Sequence, residues 1–184
     1  MPWWTTDVGG FFGGFAADEG FRELLVRWFE FGVFCPIFRL HGVRAPFADD
    51  TGAPNEVWSF GEPVYRMLAS ILRLRERLLP YVREQVAVAA RTGLPPMRPL
   101  FVDFPTDDEA WGIEDEFLLG PDLLVAPVVE PGLRSREVYL PRGAEWTDPW
   151  TGERHPGGRA VTAEAPLGRP TVFIRDGRRL PIAG

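Results

Sequence analysis

The hydrophobic pattern of the chain changes once along its length, and that change limits what the chain can fold into. Up to Arg91 most apolar residues recur at helical spacing, whereas from Met97 they form short runs between turns, which is typical of strands. The intervening Thr92-Gly93-Leu94-Pro95-Pro96 is rich in turn residues. The 184 residues therefore predict an α/β part over residues 1–95 and an all-β part over residues 96–184.

The first part begins with a strand, loop, helix and strand in succession. Residues 3–8 are predicted to form a strand that enters a glycine-rich loop, and Asp18 and Glu19 open a helix that reaches Phe31. The apolar run over residues 33–38 predicts a second strand, buried on both faces. This βαβ order implies parallel strands and a right-handed crossover.

Three polar side chains follow these two predicted strands. Asp7 ends the first strand, and Arg39 and His41 follow the second, so the parallel arrangement would bring all three to one rim. A carboxylate that accepts hydrogen bonds, beside a guanidinium and an imidazole that donate them, suits sugar hydroxyls. A structural ion pair next to a hydrogen-bonded histidine explains the same pattern equally well.

The rest of the first part is a long connection and a long helix. Residues 42–61 contain prolines, glycines and an acidic pair, and connections of this length are often functional. Residues 62–91 have helical periodicity, interrupted by Pro80, which predicts either a kink or two abutting helices.

The second part is predicted to be an antiparallel, sandwich-like β domain. A tight hairpin turn is expected at Arg175-Asp176-Gly177-Arg178. The predicted strands are Leu100–Val102, Phe117–Leu119, Leu123–Ala126, Glu137–Leu140 and Thr171–Ile174.

Composition and motifs exclude several classes of function. A net charge of −6 argues against a nucleic-acid partner, and no apolar run is long enough to span a membrane. With two histidines and one cysteine we expect no metal site, and the glycines of residues 9–14 have no nucleotide-binding spacing, so no cofactor is predicted. Cys35 is expected to be buried rather than nucleophilic, and the scarcity of cysteine fits a cytoplasmic protein.

Several longer stretches resemble glycoside hydrolase family 31, whose members include α-glucosidases and α-xylosidases. They occur in the family's order and spacing and extend over essentially the whole chain. The stretches are WWTTDVGGFFGG, RWFEFGVFCPIFRLHG, NEVWSFG, LRLRERLLPYV, GLPPMRPLFVDFP, FLLGPDLLVAPV, VYLP, EWTDPWTG and RPTVFIRDG.

The resemblance implies a particular architecture and chemistry. Residues 1–95 would be the C-terminal part of a (β/α)₈ barrel, with its last two strands and helices, and residues 96–184 the proximal β-sandwich. The family retains anomeric configuration with two aspartates. Neither aspartate motif occurs here, so the nucleophile and the acid/base are expected upstream of Met1, no catalytic residue is assigned, and the chain is expected to be a fragment inactive alone.

The resemblance also assigns roles at the predicted rim. Asp7 would line the pocket and pair with Arg39, His41 would hydrogen-bond the sugar, and Phe11 would form an aromatic wall. The expected ligand is a small or oligomeric α-glucoside or α-xyloside, and the expected partner is the N-terminal part of the enzyme. Hydrolysis, transglycosylation and lyase chemistry stay open, and the alternative is a non-catalytic carbohydrate-binding or partner-completing module.

Overall fold

The computed structural model describes residues 3–47 and 52–183. The first half of the chain contains a short parallel strand pair, β1 (Phe12–Phe15) with β2 (Val43–Ala45), and two helices, α1 (Glu19–Gly32) and α2 (Glu62–Thr92). The predicted parallel arrangement is therefore present, but the paired strands lie beyond the segments that the sequence pattern indicated.

Helix α1 starts and packs for local reasons. The side chain of Asp18 accepts a 2.9 Å hydrogen bond from the backbone N–H of Phe21, which caps the first turn. Leu25, Val26 and Phe29 then recur on one face and are fully buried. Capping and amphipathic spacing thus fix the helix that the sequence predicted.

The two strands predicted over residues 3–8 and 33–38 are wrong. The described residues of both segments form bends, turns and irregular backbone, and residues 3–8 contain only one isolated parallel bridge, between Val8 and Leu40. In the second segment, turns directly follow α1. The carbonyls of Val33, Cys35 and Pro36 accept hydrogen bonds from the Arg75 guanidinium, not from the backbone of a neighbouring strand. Because a strand needs partners to continue its ladder, apolar character alone did not make these segments strands.

Helix α2 is one continuous helix that includes Pro80, so the prediction of two abutting helices is wrong. Pro80 lies on the exposed side of the helix. Because proline has no backbone N–H, the main cost of this residue is one absent helical hydrogen bond. The helix ends at Gly93, whose φ of 78° is the left-handed conformation that glycine adopts readily. Within the described residues, no helix combines the length and apolar character required to cross a membrane.

The second half of the chain contains two antiparallel sheets. The larger has six strands in the order β3-β4-β5-β10-β7-β8, and the smaller pairs β6 with β9. The strands are β3 (Met97–Arg98), β4 (Phe117–Leu119), β5 (Leu123–Val125), β6 (Ser135–Leu140), β7 (Glu145–Thr147), β8 (Arg154–Pro156), β9 (Arg159–Glu164) and β10 (Val172–Arg175).

Two sequence predictions for this half need correction. Leu100–Val102 forms a short 3₁₀ helix instead of a strand, because the turn between Pro99 and Asp103 is closed by local i→i+3 hydrogen bonds. The turn at residues 175–178 does form, with Asp176 at φ 50° and Gly177 at φ 65°. The described residues that follow it do not form a second hairpin strand.

The six-stranded sheet buries both of its faces. On β4 and β5, Leu119 and Leu123 point to a core shared with both helices, whereas Leu118 and Leu124 point to a second core that includes β6 and β9. This alternation is the two-residue period of a strand. The two halves of the chain therefore share one core across the predicted boundary between residues 95 and 96.

Candidate functional site

Asp7 and Arg39 form an ion pair at the place where the sequence predicted a polar rim. Arg39 Nη2 donates to Asp7 Oδ1 at 2.6 Å. The pair is aligned because the next residue of each segment, Val8 and Leu40, makes the parallel bridge. The side chains are 27% exposed for Asp7 and 50% exposed for Arg39, so both groups can reach a ligand from solvent.

Phe11 and His41 lie beside each other in the same two loops. Their ring centroids are 5.7 Å apart with an interplanar angle of 40°, and both side chains are exposed. The backbone N–H of Val43 donates to the Phe11 carbonyl at 2.9 Å, which holds the two loops together. The structure thus brings together Asp7 with Arg39 and Phe11 with His41, as two contacts between the same two chain segments.

Gly42 allows this close approach of the loops. Its φ is 138°, and a Cβ atom at this position would lie 2.2 Å from the Gly10 carbonyl oxygen. No side chain fits there without moving the backbone, so glycine is required directly after His41.

Arg44 is a buried support for the rim that sequence reasoning missed. Its guanidinium is fully buried and donates to the carbonyls of Gly10 and Gly13 and to the side chain of Asn55. Asn55 in turn donates to the Gly42 carbonyl at 3.0 Å. Burial lowers the pKa of Arg44, but guanidinium stays charged at any ordinary pH. The sequence offers one indication of this role, since Arg44 is a charged residue between the apolar residues Val43 and Ala45 of β2.

The cluster of Asp7, Phe11, Arg39 and His41 has a defined chemical capacity. One carboxylate oxygen accepts, the guanidinium and imidazole can donate, and the phenyl ring offers an apolar face. Retaining glycoside hydrolysis needs two carboxyl groups about 5–5.5 Å apart, and this cluster contains one. The arrangement by itself fits binding of a polyhydroxylated ring.

Neither a metal site nor a reactive thiol appears in the part of the chain that the structure describes. No group of three or more candidate metal ligands comes together among these residues. Cys35 is fully buried, as the sequence predicted, and burial raises the pKa of its thiol to about 12. It is therefore protonated and inaccessible near neutral pH.

Comparison with known proteins identifies the family. The model of the glycosyl hydrolases family 31 TIM-barrel domain matches residues 1–85, and that of the glycosyl hydrolase family 31 C-terminal domain matches residues 93–179. The first part of the chain, with its parallel contacts, thus corresponds to a TIM-barrel domain, and the antiparallel sheets correspond to the C-terminal domain that follows it. The chain belongs to glycoside hydrolase family 31, and its match is to the C-terminal portion.

The relatives are enzymes that are about four times longer. The alpha-xylosidase of Saccharolobus solfataricus is 38% identical over 184 residues, covering 100% of this chain and 24% of that protein. The sulfoquinovosidase of Agrobacterium fabrum is 38% identical over 92% of this chain and 24% of its own length. The chain therefore spans about a quarter of the curated relatives it matches.

Solved structures agree with the family assignment. A GH31 alpha-xylosidase from a soil metagenome, complexed with xylose, is 53% identical with a TM-score of 0.92. The match covers 96% of this chain and 28% of that one. A Flavobacterium johnsoniae GH31 dextranase complexed with glucose is 36% identical with a TM-score of 0.86, covering 97% of this chain and 21% of its own.

Proposed function

We propose that this chain forms one wall of the sugar-binding pocket of a retaining α-glycosidase that acts on α-glucosides or α-xylosides. The observation that carries the proposal is that the same two chain segments form both the Asp7–Arg39 pair and the Phe11–His41 contact. Asp7 accepts hydrogen bonds from sugar hydroxyls, Arg39 holds that carboxylate and donates, His41 donates, and Phe11 borders the sugar ring.

The architecture assigned to this function follows the sequence resemblance. Residues 1–95 provide the last two strands and helices of a (β/α)₈ barrel, and residues 96–184 provide the proximal β-sandwich. Two features support this arrangement: the parallel contacts in the first part and the two antiparallel sheets in the second. At the carboxyl ends of barrel strands, loops collect the residues that bind substrate.

The catalytic carboxyl groups are assigned to other parts of such a barrel. The cluster described here contributes binding energy and orientation, because Asp7 is engaged by Arg39 and has no second carboxyl group within the cluster. We therefore expect the 184-residue chain to bind sugar without hydrolysing glycosides.

The choice of xylose and glucose as candidate ligands is supported by the names of the matched structures and relatives. Two of the matched structures hold these sugars, one with xylose and one with glucose, and a curated relative is named an alpha-xylosidase. Both sugars present similar ring hydroxyls to a carboxylate and a guanidinium, so both are candidate ligands.

The proposal is tested by titrating xylose and glucose separately into the chain and following ¹⁵N–¹H chemical shifts. A monosaccharide of about ten heavy atoms at a partial site should bind with a dissociation constant of roughly millimolar. Saturable shifts at Asp7, Phe11 and His41 that disappear in Asp7→Asn are expected. Saturable shifts elsewhere, or equal binding by the variant, would overturn the assignment. Specific turnover of an aryl α-glucoside or α-xyloside by the purified chain would refute the expectation of inactivity.

The alternative function is a non-catalytic carbohydrate-binding or partner-completing module. The single carboxylate in the cluster favours it, since binding alone needs no second acid. A carbohydrate-binding module predicts saturable sugar binding by the isolated chain without glycosidase activity. A partner-completing module predicts that activity appears when the remaining barrel elements of a family 31 enzyme are supplied.

A further inference from the structure

We propose that Trp28 is a positioning residue for the sugar-binding site, and that its indole N–H holds the turn that carries Asp7. Trp28 lies on α1, outside the two chain segments that form the rim. The inference rests on the proposed function, because it takes Asp7 to be the carboxylate that accepts hydrogen bonds from the sugar.

The backbone around Asp7 has little support of its own. Residues 3–7 have no regular secondary structure, and Val8 is followed by Gly9 and Gly10, with φ values of 85° and 80°. Glycine loses more conformational freedom on folding than any other residue. The ion pair with Arg39 is substantially exposed, and such pairs contribute little to order. Contacts from another part of the chain are therefore needed to fix the direction of the Asp7 side chain.

The indole of Trp28 contacts the chain on both sides of Asp7. Trp28 Nε1 donates to Thr6 Oγ1 at 3.0 Å. The six-membered part of the ring lies next to Gly10, since a Cβ atom built on Gly10 would be 3.7 Å from Cζ3 of Trp28. The Gly10 N–H donates to the Asp7 carbonyl at 2.7 Å, which closes a tight turn. One side chain thus holds the residue before this turn and the residue that ends it.

The hydrogen bond from the indole distinguishes this role from ordinary packing. A partly buried tryptophan N–H usually finds an acceptor, and here the acceptor is the hydroxyl directly before Asp7. Phenylalanine at position 28 would keep a ring beside Gly10 but would leave the Thr6 hydroxyl without its donor. The N–H therefore supplies a directional contact that the shape of the ring alone does not.

Trp28 is a suitable anchor because α1 is itself held firmly. Leu25 and Phe29, on either side of Trp28, are fully buried in the core. Glu23, earlier on the same helix, accepts a 3.1 Å hydrogen bond from the Gly132 N–H in the second half of the chain. The β domain thus fixes α1, and through Trp28 it takes part in orienting Asp7.

Two variants of the 184-residue chain remove the hydrogen bond from opposite ends. Trp28→Phe keeps an aromatic ring without the N–H, and Thr6→Val keeps the branched shape without the hydroxyl. The first measurement needs no sugar and follows hydrogen exchange of the Gly10 amide, which closes the turn. The second is the dissociation constant for xylose. The net contribution of one hydrogen bond corresponds to roughly a two- to ten-fold change in an equilibrium constant.

Each single variant should speed exchange of the Gly10 amide about five-fold and raise the dissociation constant for xylose about five-fold. The Leu25 and Phe29 amides of α1 should exchange at unchanged rates, since a local role does not loosen the helix. The double variant should bind xylose no more weakly than either single variant, because both substitutions remove the same bond.

Trp111→Phe is the matched control. It also removes an indole hydrogen bond, from Trp111 Nε1 to the Pro105 carbonyl at 3.1 Å, but in the second half of the chain. It should leave both Gly10 exchange and xylose binding unchanged. Equal effects in this control and in Trp28→Phe would overturn the inference, because any lost tryptophan N–H would then act alike.

Unchanged Gly10 exchange in Trp28→Phe would also overturn the inference, as would additive losses of affinity in the double variant. If Trp28→Phe does not fold, Thr6→Val decides the question. In that variant the indole N–H resonance of Trp28 should move upfield and Gly10 exchange should rise. A resonance and an exchange rate that both stay as in the parent would exclude the positioning role.

The outcome is separable from that of the proposed function. Faster Gly10 exchange in both variants, with no sugar binding by the parent chain, supports the hold of Trp28 on the Asp7 turn and contradicts the proposed function. Sugar binding by the parent with equal affinity in Trp28→Phe supports the proposed function and overturns the positioning role.

Discussion

Glu30 on α1 accepts a 2.6 Å hydrogen bond through Oε1 from the backbone N–H of Gly168, 138 residues further along the chain. Its other oxygen, Oε2, accepts from Arg27 Nη1 at 2.8 Å, and Arg27 also donates to the carbonyls of Leu133 and Ala165. Both charged side chains are less than 10% exposed. A buried ion pair thus ties the helix beside the rim to two loops of the β domain.

Removing one member of this pair should be costly. Glu30→Ala leaves the Arg27 charge buried without its carboxylate and is expected to lower the free energy of unfolding by about 3–5 kcal/mol. Glu30→Gln keeps an acceptor for Gly168 and should cost less. Urea denaturation measures both, with Glu62→Ala as control, because the Glu62–Arg66 pair is exposed and worth about 0.3–0.5 kcal/mol. A loss for Glu30→Ala no larger than that of the control would contradict the role given to the pair.

The rim pair should matter for binding far more than for stability. Because Asp7 and Arg39 are both substantially exposed, Arg39→Ala is expected to change the free energy of unfolding by less than about 1 kcal/mol. It should nevertheless reduce sugar binding at least ten-fold, since Asp7 loses the group that orients it. Sugar titration with parallel urea denaturation measures both effects, and Arg66→Ala serves as the control. Unchanged sugar affinity in Arg39→Ala would argue against the proposed site.

Gly42 should not tolerate a side chain. Gly42→Ala places Cβ 2.2 Å from the Gly10 carbonyl oxygen, so the loops that carry Phe11 and His41 must separate. We expect loss of sugar-induced chemical shifts at His41. The matched control is Gly132→Ala, which has a positive φ of 80° but open space around the added atom. If Gly42→Ala binds sugar as well as the control does, close approach of the loops is not needed.

Arg75 should hold the buried turn after α1 in place. It donates to the carbonyls of Val33 and Cys35 at 2.7 Å each and of Pro36 at 2.8 Å. Arg75→Met leaves those carbonyls without the donor and is expected to destabilise the chain by about 3 kcal/mol. It should also speed the reaction of Cys35 with a thiol reagent, which reports local opening. The exposed Arg73→Met is the control, and equal Cys35 reactivity in both variants would refute this account.

Glu116 should make stability depend on pH. Burial raises the pKa of this carboxyl to about 7 from an ordinary value of 4.5, even though its Oε1 accepts from the Tyr139 N–H at 2.7 Å. Its Oε2 is buried and has no hydrogen-bond partner among the described residues.

Because the folded chain binds this proton more tightly than the unfolded chain, ionisation of Glu116 costs folding free energy. The contribution is greatest below pH 4.5 and is lost as the pH rises through about 7. The shift corresponds to a loss on the order of 3 kcal/mol. Glu116→Gln should remove this part of the pH dependence in urea titrations at pH 5 and pH 8. A variant whose stability falls with pH as steeply as that of the parent would contradict the assignment.

Local patterns in the sequence were sufficient for the helices and for four strands of the β domain. Helix α1 has its cap and apolar spacing within a few residues, and the periodicity of residues 62–91 predicted α2. The cores of β4, β5, β6 and β10 lie in short apolar runs bounded by turns. Such features depend on neighbours in the chain, so they can be seen without a fold.

Predictions from the sequence were wrong or missing where contacts between residues distant in the chain decide the structure. The apolar run over residues 33–38 forms turns, and Arg75, about 40 residues away, binds three of its carbonyls. The strands β7, β8 and β9 were not predicted, since Trp146 and its neighbours acquire their pattern only by pairing across the sheet. The supporting role of Arg44 was missed for the same reason.

The amino-acid sequence by itself indicated the family, the two helices, and Asp7, Arg39 and His41 as candidates for one polar rim. Tertiary structure alone decided that Asp7 and Arg39 are within 2.6 Å, that Phe11 stands beside His41, and that buried Arg44 supports both loops. The physical reason is the distance along the chain over which each interaction acts. Capping and periodicity act over one or two turns of chain, whereas an ion pair or a buried guanidinium depends on groups that only folding brings together.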